Sequence, residues 1–228
     1  LYSCIAAFII FYFIIFSVIK VPNLNDPHAE ETNSDVQNTN NDNTPLYKQK
    51  HFIYAVIAQF FNIGAQAGTW AYFINYTVER MKYSETTASY YFSLSLGLMM
   101  IGRFVGTYLM KFIKPNILLA AFTLCNVILC VIIAQDLGMI SFVSLISLNF
   151  FLSVMYPTIF SLGLKNLGNK VHQASSFLVM AMFGGAIFPQ LMGKIAEKNI
   201  AHSYYLPIIC YAVILLFALK LYKPKSNS

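Results

Sequence analysis

Long apolar runs alternate with short polar connections through most of this sequence. Each run has roughly 20 or more mostly apolar residues, the length that an α-helix needs to cross a bilayer. The first run opens at Leu1 without the charged segment of a signal peptide, so we expect the sequence to begin inside a membrane helix. The pattern predicts spans at 1–19, 51–78, 86–112, 116–134, 137–164, 173–195 and 204–222.

One connection differs from the others in length and composition. It contains NLNDPHAEETNSDVQNTNNDNTP, with five of the nine acidic residues, many asparagines and almost no apolar side chains. Such a segment buries too little apolar surface to offset its ordering entropy, so we expect a mobile linker. The predicted units are a membrane helix at 1–20, the linker at 21–50, a six-helix bundle at 51–222 and a tail at 223–228.

Composition supports a membrane protein and argues against several other classes. The chain is 57% apolar and 11% charged, with a mean hydropathy of +0.60, whereas soluble domains are about 45–50% apolar and about 25% charged. The basic residues behind the net charge of +6 are scattered at the ends of apolar runs, so we expect no nucleic-acid partner. The four cysteines lie inside apolar runs, where we expect neither metal, cofactor nor disulfide.

The distribution of Lys and Arg predicts the orientation of the spans. With the linker on the cytoplasmic side, eleven of the fifteen basic residues lie at inner ends. The other four are Arg80, Lys82, Lys194 and Lys198. Because basic residues accumulate on the cytoplasmic side, the linker and the C-terminus are predicted to be cytoplasmic. We expect an integral protein of the plasma membrane, which in a bacterium is the inner membrane.

Carboxylates are placed only in the linker or at span ends. Outside the linker they are Glu79, Glu85, Asp136 and Glu197. Proton relays in membranes usually contain intramembrane carboxylates, so any coupling acids are expected in sequence beyond this chain. No lysine lies at mid-span to form a Schiff base, which argues against a retinal protein.

The second span carries a polar stripe. At 3.6 residues per turn, Gln59, Asn62, Gln66 and Trp70 fall within one sector of the helix. Lipid contact would be costly for three amides, so this sector is expected to meet protein or a watery cavity. An aromatic ring beside amides suits a sugar, because the ring covers C–H groups and the amides bind hydroxyls. Hydrogen bonding between helices is the alternative.

The fifth span repeats this arrangement with a helix breaker. Asn149, Ser153, Tyr156 and Phe160 share one face, and Pro157 interrupts the hydrogen-bond ladder beside Tyr156. Interrupted helices near the midplane commonly mark transporter sites. We therefore predict that Asn149, Ser153 and Tyr156 contribute to the same sugar site, although a proline kink also occurs for shape alone.

Small residues predict close helix contacts. Gly64 and Gly68 lie opposite the polar stripe, and Gly102 and Gly106 form a second G-x-x-x-G pair in the third span. Arg103 lies about two turns from the inner end and can reach the interface. We predict gating or structural roles for Gly102, Arg103, Gly106 and Pro157.

Four strings carry a resemblance to a known family: AQFFNIGAQAGTW at 58–70, IGRFVGTYLMKFIKPNILL at 101–119, MYPTIFSLGLKNLG at 155–168 and ASSFLVMAMFGGAIFPQLMG at 174–193. They resemble the fucose permease family of fucose, galactose and glucose proton symporters in the major facilitator superfamily. The resemblance implies an all-α fold in which 1–20 is the last helix of an N-terminal half and 51–222 is the C-terminal six-helix bundle. It implies that Tyr156 is a cavity residue.

The resemblance further implies alternating access for a sugar, most notably L-fucose, coupled to protons through acids in an N-terminal half. No bond is made or broken, so a transporter rather than an enzyme is expected. The expected partners are a sugar, protons and the lipid bilayer. A uniporter without proton coupling remains an alternative. A seven-span receptor also remains, although its N-terminus should lie outside ahead of the first span.

Overall fold

The computed structural model describes Leu46, 49–165 and 167–221. These residues belong to the compact unit Thr44–Ser228 and form α-helices with short 3₁₀ and π turns, without any strand in the described part. The predicted span at 1–20, almost all of the linker at 21–50 and the tail at 223–228 lie outside the described residues. The helices are α1 (Lys50–Met81), α2 (Glu85–Leu109), α3 (Pro115–Ala134), α4 (Met139–Leu152), α5 (Met155–Leu164), α6 (Val171–Met180), α7 (Gly184–Ala196) and α8 (Tyr205–Leu216).

Local sequence explains several helix ends. The Ser84 hydroxyl accepts a hydrogen bond from the Thr87 backbone N–H and caps α2. Pro115 occupies the first turn of α3, where its missing N–H costs no helix hydrogen bond. Gly138 precedes α4 with φ of +62°, a backbone conformation that favours glycine.

Five helical stretches are long and apolar enough to cross a membrane. They are Glu85–Leu109, Pro115–Ala134, Met139–Leu164, Val171–Ala196 and Ala201–Leu221. The 32-residue α1 is about 48 Å long, which also suffices to cross. Its four amides, at Gln59, Asn62, Gln66 and Asn75, make it less apolar than the other spans.

Two predicted spans are each divided. The span predicted at 137–164 consists of α4 and α5 with a break at Ser153 and Val154. The span predicted at 173–195 consists of α6 and α7, joined by a 3₁₀ turn at Ala181–Phe183. The last span begins with a 3₁₀ turn at Ala201–Tyr204 and ends with a π turn at Phe217–Leu221.

The helix α1 contacts most of the other elements. It packs against α5, α7 and α8, while α4 packs between α2 and α3, and α3 also contacts α8. The core between them includes the fully buried side chains Phe73, Tyr76, Leu148, Tyr204 and Tyr211. Since the polar stripe of α1 lies within this packing, helix burial decides which of its side chains can meet a ligand.

Candidate functional site

The polar stripe of α1 divides into a buried part and a half-exposed part. Gln59 and Asn62 have no exposed surface, and all four of their side-chain polar atoms lack a hydrogen-bond partner in the described structure. Gln66 and Trp70, one and two turns further along the helix, are only half-buried. Gln66 and Trp70 therefore have exposed surface in this conformation, whereas Gln59 and Asn62 have none.

Glycines on the other side of α1 lie at close helix contacts. A Cβ at Gly64 would overlap the Phe188 ring, and one at Gly68 would overlap the Met192 sulfur. A Cβ at Gly184, at the start of α7, would overlap the Phe60 carbonyl oxygen. The small residues thus allow α1 and α7 to approach closely, which fixes the direction of the polar stripe.

A chain of hydrogen bonds holds Trp70. Its indole Nε1 donates to Asn149 Oδ1 at 2.8 Å, and Asn149 Nδ2 donates to Ser95 Oγ at 2.8 Å. The Ser95 hydroxyl donates to the Ile146 carbonyl oxygen at 2.7 Å. Asn149 and Ser95 have no exposed surface. The chain connects α1, α4 and α2, and it occupies the indole N–H while the Trp70 side chain stays half-exposed.

The break between α4 and α5 lies one turn before Pro157. A proline has no N–H for the carbonyl of the residue four positions earlier, here Ser153, and its ring crowds that carbonyl. The Ser153 hydroxyl donates to the Phe150 carbonyl oxygen at 2.6 Å, and the Thr158 hydroxyl donates to the Val154 carbonyl oxygen at 2.6 Å. These two hydroxyls supply hydrogen bonds on both sides of the interruption.

The second glycine pair lies on this break. A Cβ at Gly102 would be 2.5 Å from the Phe150 carbonyl oxygen and 2.6 Å from Ser153 Oγ. A Cβ at Gly106 would be 2.5 Å from Val154 Cγ1. The α2 backbone therefore supports the interrupted helix directly. Arg103, between these glycines, is exposed.

Tyr156 lies in the first turn of α5. Its ring stacks on Phe160 with a centroid distance of 6.1 Å and an interplanar angle of 19°. Both side chains are half-buried. Tyr156 is thus partly exposed, as Gln66 and Trp70 are, whereas Asn149 and Ser153 are buried at 0% and 1% exposure.

Polar contacts join loops at opposite ends of the bundle. At one end Arg80 Nη1 pairs with Asp136 at 3.0 Å, and Arg80 Nη2 donates to Asn199 Oδ1. At the other end His51 Nε2 lies 3.1 Å from the Lys165 carbonyl oxygen. These contacts connect the two ends of α1 to the loops after α3, α7 and α5.

The carboxylates in the described part of the chain lie at helix ends. Glu79 is in the last turn of α1, Glu85 starts α2, and Asp136 and Glu197 follow α3 and α7. Among the described residues there is no group of three or more His, Cys, Asp or Glu that could hold a metal ion. The half-buried side chains of Trp70, Gln66 and Tyr156 offer an aromatic ring, an amide and a phenol.

Ser95 is the member of this arrangement that the sequence pattern did not indicate. It lies in the run SYYFSLSLG, where serines alternate with apolar residues and no face of the helix is marked. Asn149, predicted to contribute to the sugar site, is fully buried and accepts a hydrogen bond from Trp70. The other predicted residues differ in exposure. Gln66, Trp70 and Tyr156 are partly exposed, whereas Gln59, Asn62 and Ser153 are buried.

The chain is similar to known transporters. The Major Facilitator Superfamily model matches residues 1–222. The L-fucose-proton symporter of Escherichia coli (strain K12) is 39% identical over 176 residues, covering 76% of this chain and 40% of the relative. The glucose/galactose transporter of Brucella abortus (strain 2308) is 32% identical over 211 residues, covering 90% of this chain and 49% of the relative.

Solved structures show the same fold. The crystal structure of the transporter FucP in its outward conformation superposes with a TM-score of 0.75 at 38% identity, over 77% of this chain and 43% of that one. The chain thus spans about half the length of these relatives. The expectation of an all-α transporter fold, and not an enzyme, is confirmed. Since the family model covers nearly the whole chain, the chain belongs to the Major Facilitator Superfamily.

Proposed function

We propose that this chain is the C-terminal half, with one preceding helix, of a sugar transporter, and that Gln66, Trp70 and Tyr156 contact the sugar. The observation that carries the proposal is the half-exposed Trp70, whose N–H is already bonded to Asn149 at 2.8 Å. A tryptophan held in this way offers its ring face rather than its hydrogen-bonding edge. Such a face suits the C–H surface of a sugar ring.

The neighbouring polar groups suit the hydroxyls of the same sugar. The Gln66 amide provides both donors and an acceptor, and the Tyr156 hydroxyl provides one of each. Both side chains are half-buried, so they are partly dehydrated but still reachable. We assign Asn149 and Ser153 to a supporting layer, and Gln59 and Asn62 to the interior of the bundle in this conformation.

The contacts around the helix break are compatible with a mechanism of alternating access. Transporters of this kind move two halves about a midplane site, and interrupted helices commonly line it. The break at Ser153 and Val154 lies between two polar residues of the proposed site layers, Asn149 and Tyr156, and rests on Gly102 and Gly106. We propose that these contacts keep the interrupted helix in place during the movement, with Arg103 at the cytoplasmic interface.

The proposed substrate is L-fucose or a related hexose, moved with protons. Relatives that share 39% and 32% of their aligned residues are an L-fucose-proton symporter and a glucose/galactose transporter. The four acids in the described part lie at helix ends, so we place the coupling carboxylates in the half of the protein that precedes this chain. The linker and C-terminus are proposed to be cytoplasmic, and a bacterial inner membrane fits the relatives.

Uptake in proteoliposomes tests this function. The full-length protein is reconstituted, and uptake of labelled L-fucose, D-galactose and D-glucose is measured with and without an inward proton gradient. Saturable uptake that rises with the gradient is expected, and residues 1–228 alone should give none. Saturable uptake insensitive to the gradient would identify a uniporter, while no uptake of any of the three sugars would contradict the proposed substrate class.

A further inference from the structure

We propose that Ser95 is a positioning residue that sets the orientation of the Trp70 ring through Asn149. The inference rests on the proposed function, because it concerns how the sugar-contacting ring is held. Ser95 has no exposed surface and lies on α2, away from the polar stripes on which the site was predicted. It therefore acts on the sugar only through other residues.

The direction of each hydrogen bond follows from the groups involved. The Trp70 indole nitrogen only donates, so it requires the oxygen of the Asn149 amide. The Ser95 hydroxyl has one hydrogen, which goes to the Ile146 carbonyl oxygen at 2.7 Å. Its lone pairs then accept from Asn149 Nδ2 at 2.8 Å.

Ser95 thereby selects one of the two orientations of the Asn149 amide. If the amide were flipped, its NH₂ would face the indole N–H and its oxygen would face a hydroxyl whose hydrogen is already used. The indole N–H and the buried Asn149 oxygen would then both lose their partners, which is costly away from water. With Ser95 present, the amide oxygen is held toward Trp70.

The consequence for the ring is geometric. Trp70 is half-buried, so its own packing leaves part of the ring without neighbours. The 2.8 Å bond from Nε1 to Asn149 Oδ1 fixes one edge of the ring. Loss of Ser95 would leave Asn149 free to turn and the ring free to change its tilt, which lowers its fit to a sugar without removing a sugar contact.

Ser95→Ala in the full-length protein tests this inference, with Ser144→Ala as the matched control. Ser144 is also buried, at 6% exposure, but its hydroxyl donates only within α4, to the Ile140 carbonyl oxygen at 2.8 Å. Affinity is measured by calorimetric titration with L-fucose, D-galactose and D-glucose. We expect roughly threefold to tenfold weaker binding in Ser95→Ala, the size of one lost hydrogen bond, and no change in Ser144→Ala.

A double-mutant cycle identifies the route of the effect. In a Trp70→Phe background the indole N–H is absent, so adding Ser95→Ala should weaken binding no further. Trp70 is the single tryptophan of this chain, and its emission, taken as the difference from Trp70→Phe, should shift in Ser95→Ala before any sugar is added. Should Ser95→Ala fail to fold, Ser95→Cys offers a weaker partner of similar size and should shift affinity and emission in the same direction.

The outcomes separate this inference from the proposed function. Unchanged affinity and emission in Ser95→Ala, or a loss that adds fully to that of Trp70→Phe, would overturn the positioning role. Normal sugar affinity in Trp70→Ala would overturn the assignment of Trp70 to the site, whatever Ser95→Ala does. Weaker binding and shifted emission in Ser95→Ala, both absent from Ser144→Ala, would support the positioning role.

Discussion

The two parts of the polar stripe on α1 differ in environment although they look alike in sequence. Gln59 and Asn62 are fully buried, and their amides have no hydrogen-bond partner in the described structure. Gln66 and Trp70 are half-exposed, and Trp70 is connected through Asn149 to α2 and α4. The same helical spacing therefore places side chains in the bundle interior in one part of α1 and at a partly exposed surface in the other.

This difference shows that periodicity predicts a direction but not a depth. All four residues project from one side of α1, which the 3.6-residue repeat indicates. Exposure depends on how far the neighbouring helices extend along that side. A Cβ at Gly163 of α5 would be 2.7 Å from the Cβ of Ala55, one turn before the buried Gln59, so α5 lies close to this part of α1.

The largest effect is expected from filling the close contact between α2 and the break that separates α4 from α5. Gly102→Ala would place a methyl group 2.5 Å from the Phe150 carbonyl oxygen, which belongs to the backbone. We expect a loss of about 1–3 kcal/mol in stability. Gly97→Ala on the same helix is the control, because nothing lies within 4 Å of its Cβ position.

Melting curves of the detergent-solubilised variants measure this difference. Gly97→Ala should melt at the same temperature as the unmodified protein or slightly above it, because alanine is the better helix former. Equal melting temperatures for Gly102→Ala and Gly97→Ala would mean that the contact between α2 and the helix break contributes nothing to stability.

Trp70→Ala should give the largest loss of sugar affinity. Removing the ring takes away its contact with the sugar's C–H face, and we expect binding to weaken about tenfold or more. The melting temperature should fall as well, because the buried Asn149 oxygen loses its donor. Calorimetric titration with the three sugars, beside melting curves, distinguishes this from a packing role, in which the melting temperature would fall and affinity would be retained.

Tyr156→Phe should have an intermediate effect. The ring and its stacking on Phe160 are kept, so only the hydroxyl contact with the sugar is lost. We expect about threefold to tenfold weaker binding, with stability unchanged. The same titration measures it, and unchanged affinity would remove Tyr156 from the proposed site.

Gln59→Leu should have the smallest effect on binding. Leucine has a similar volume and removes an amide that is buried without a partner, so stability should stay the same or rise. Sugar affinity should change by less than about twofold, since Gln59 has no exposed surface. A tenfold loss of affinity would instead place Gln59 among the sugar ligands.

Sequence predicted the helices and their polar faces, but the division of those faces required the structure. The all-α fold followed from the apolar runs, and Pro157 predicted an interruption that the structure places one turn earlier, at Ser153 and Val154. Ser95 was missed because a single serine among apolar residues carries no periodic signal. The pairing of Arg80 with Asp136 joins residues far apart in sequence, so local patterns do not reveal it.

Cysteine accessibility tests the central claim most directly. Gln66→Cys and Gln59→Cys are compared in full-length protein whose native cysteines are replaced by alanine, using a water-soluble thiol reagent. We expect the cysteine at position 66 to react and L-fucose, D-galactose or D-glucose to slow its reaction, whereas the cysteine at position 59 stays unreactive with or without sugar. Reaction at position 59 that sugar slows, or reaction at position 66 that none of the three sugars affects, would contradict this claim.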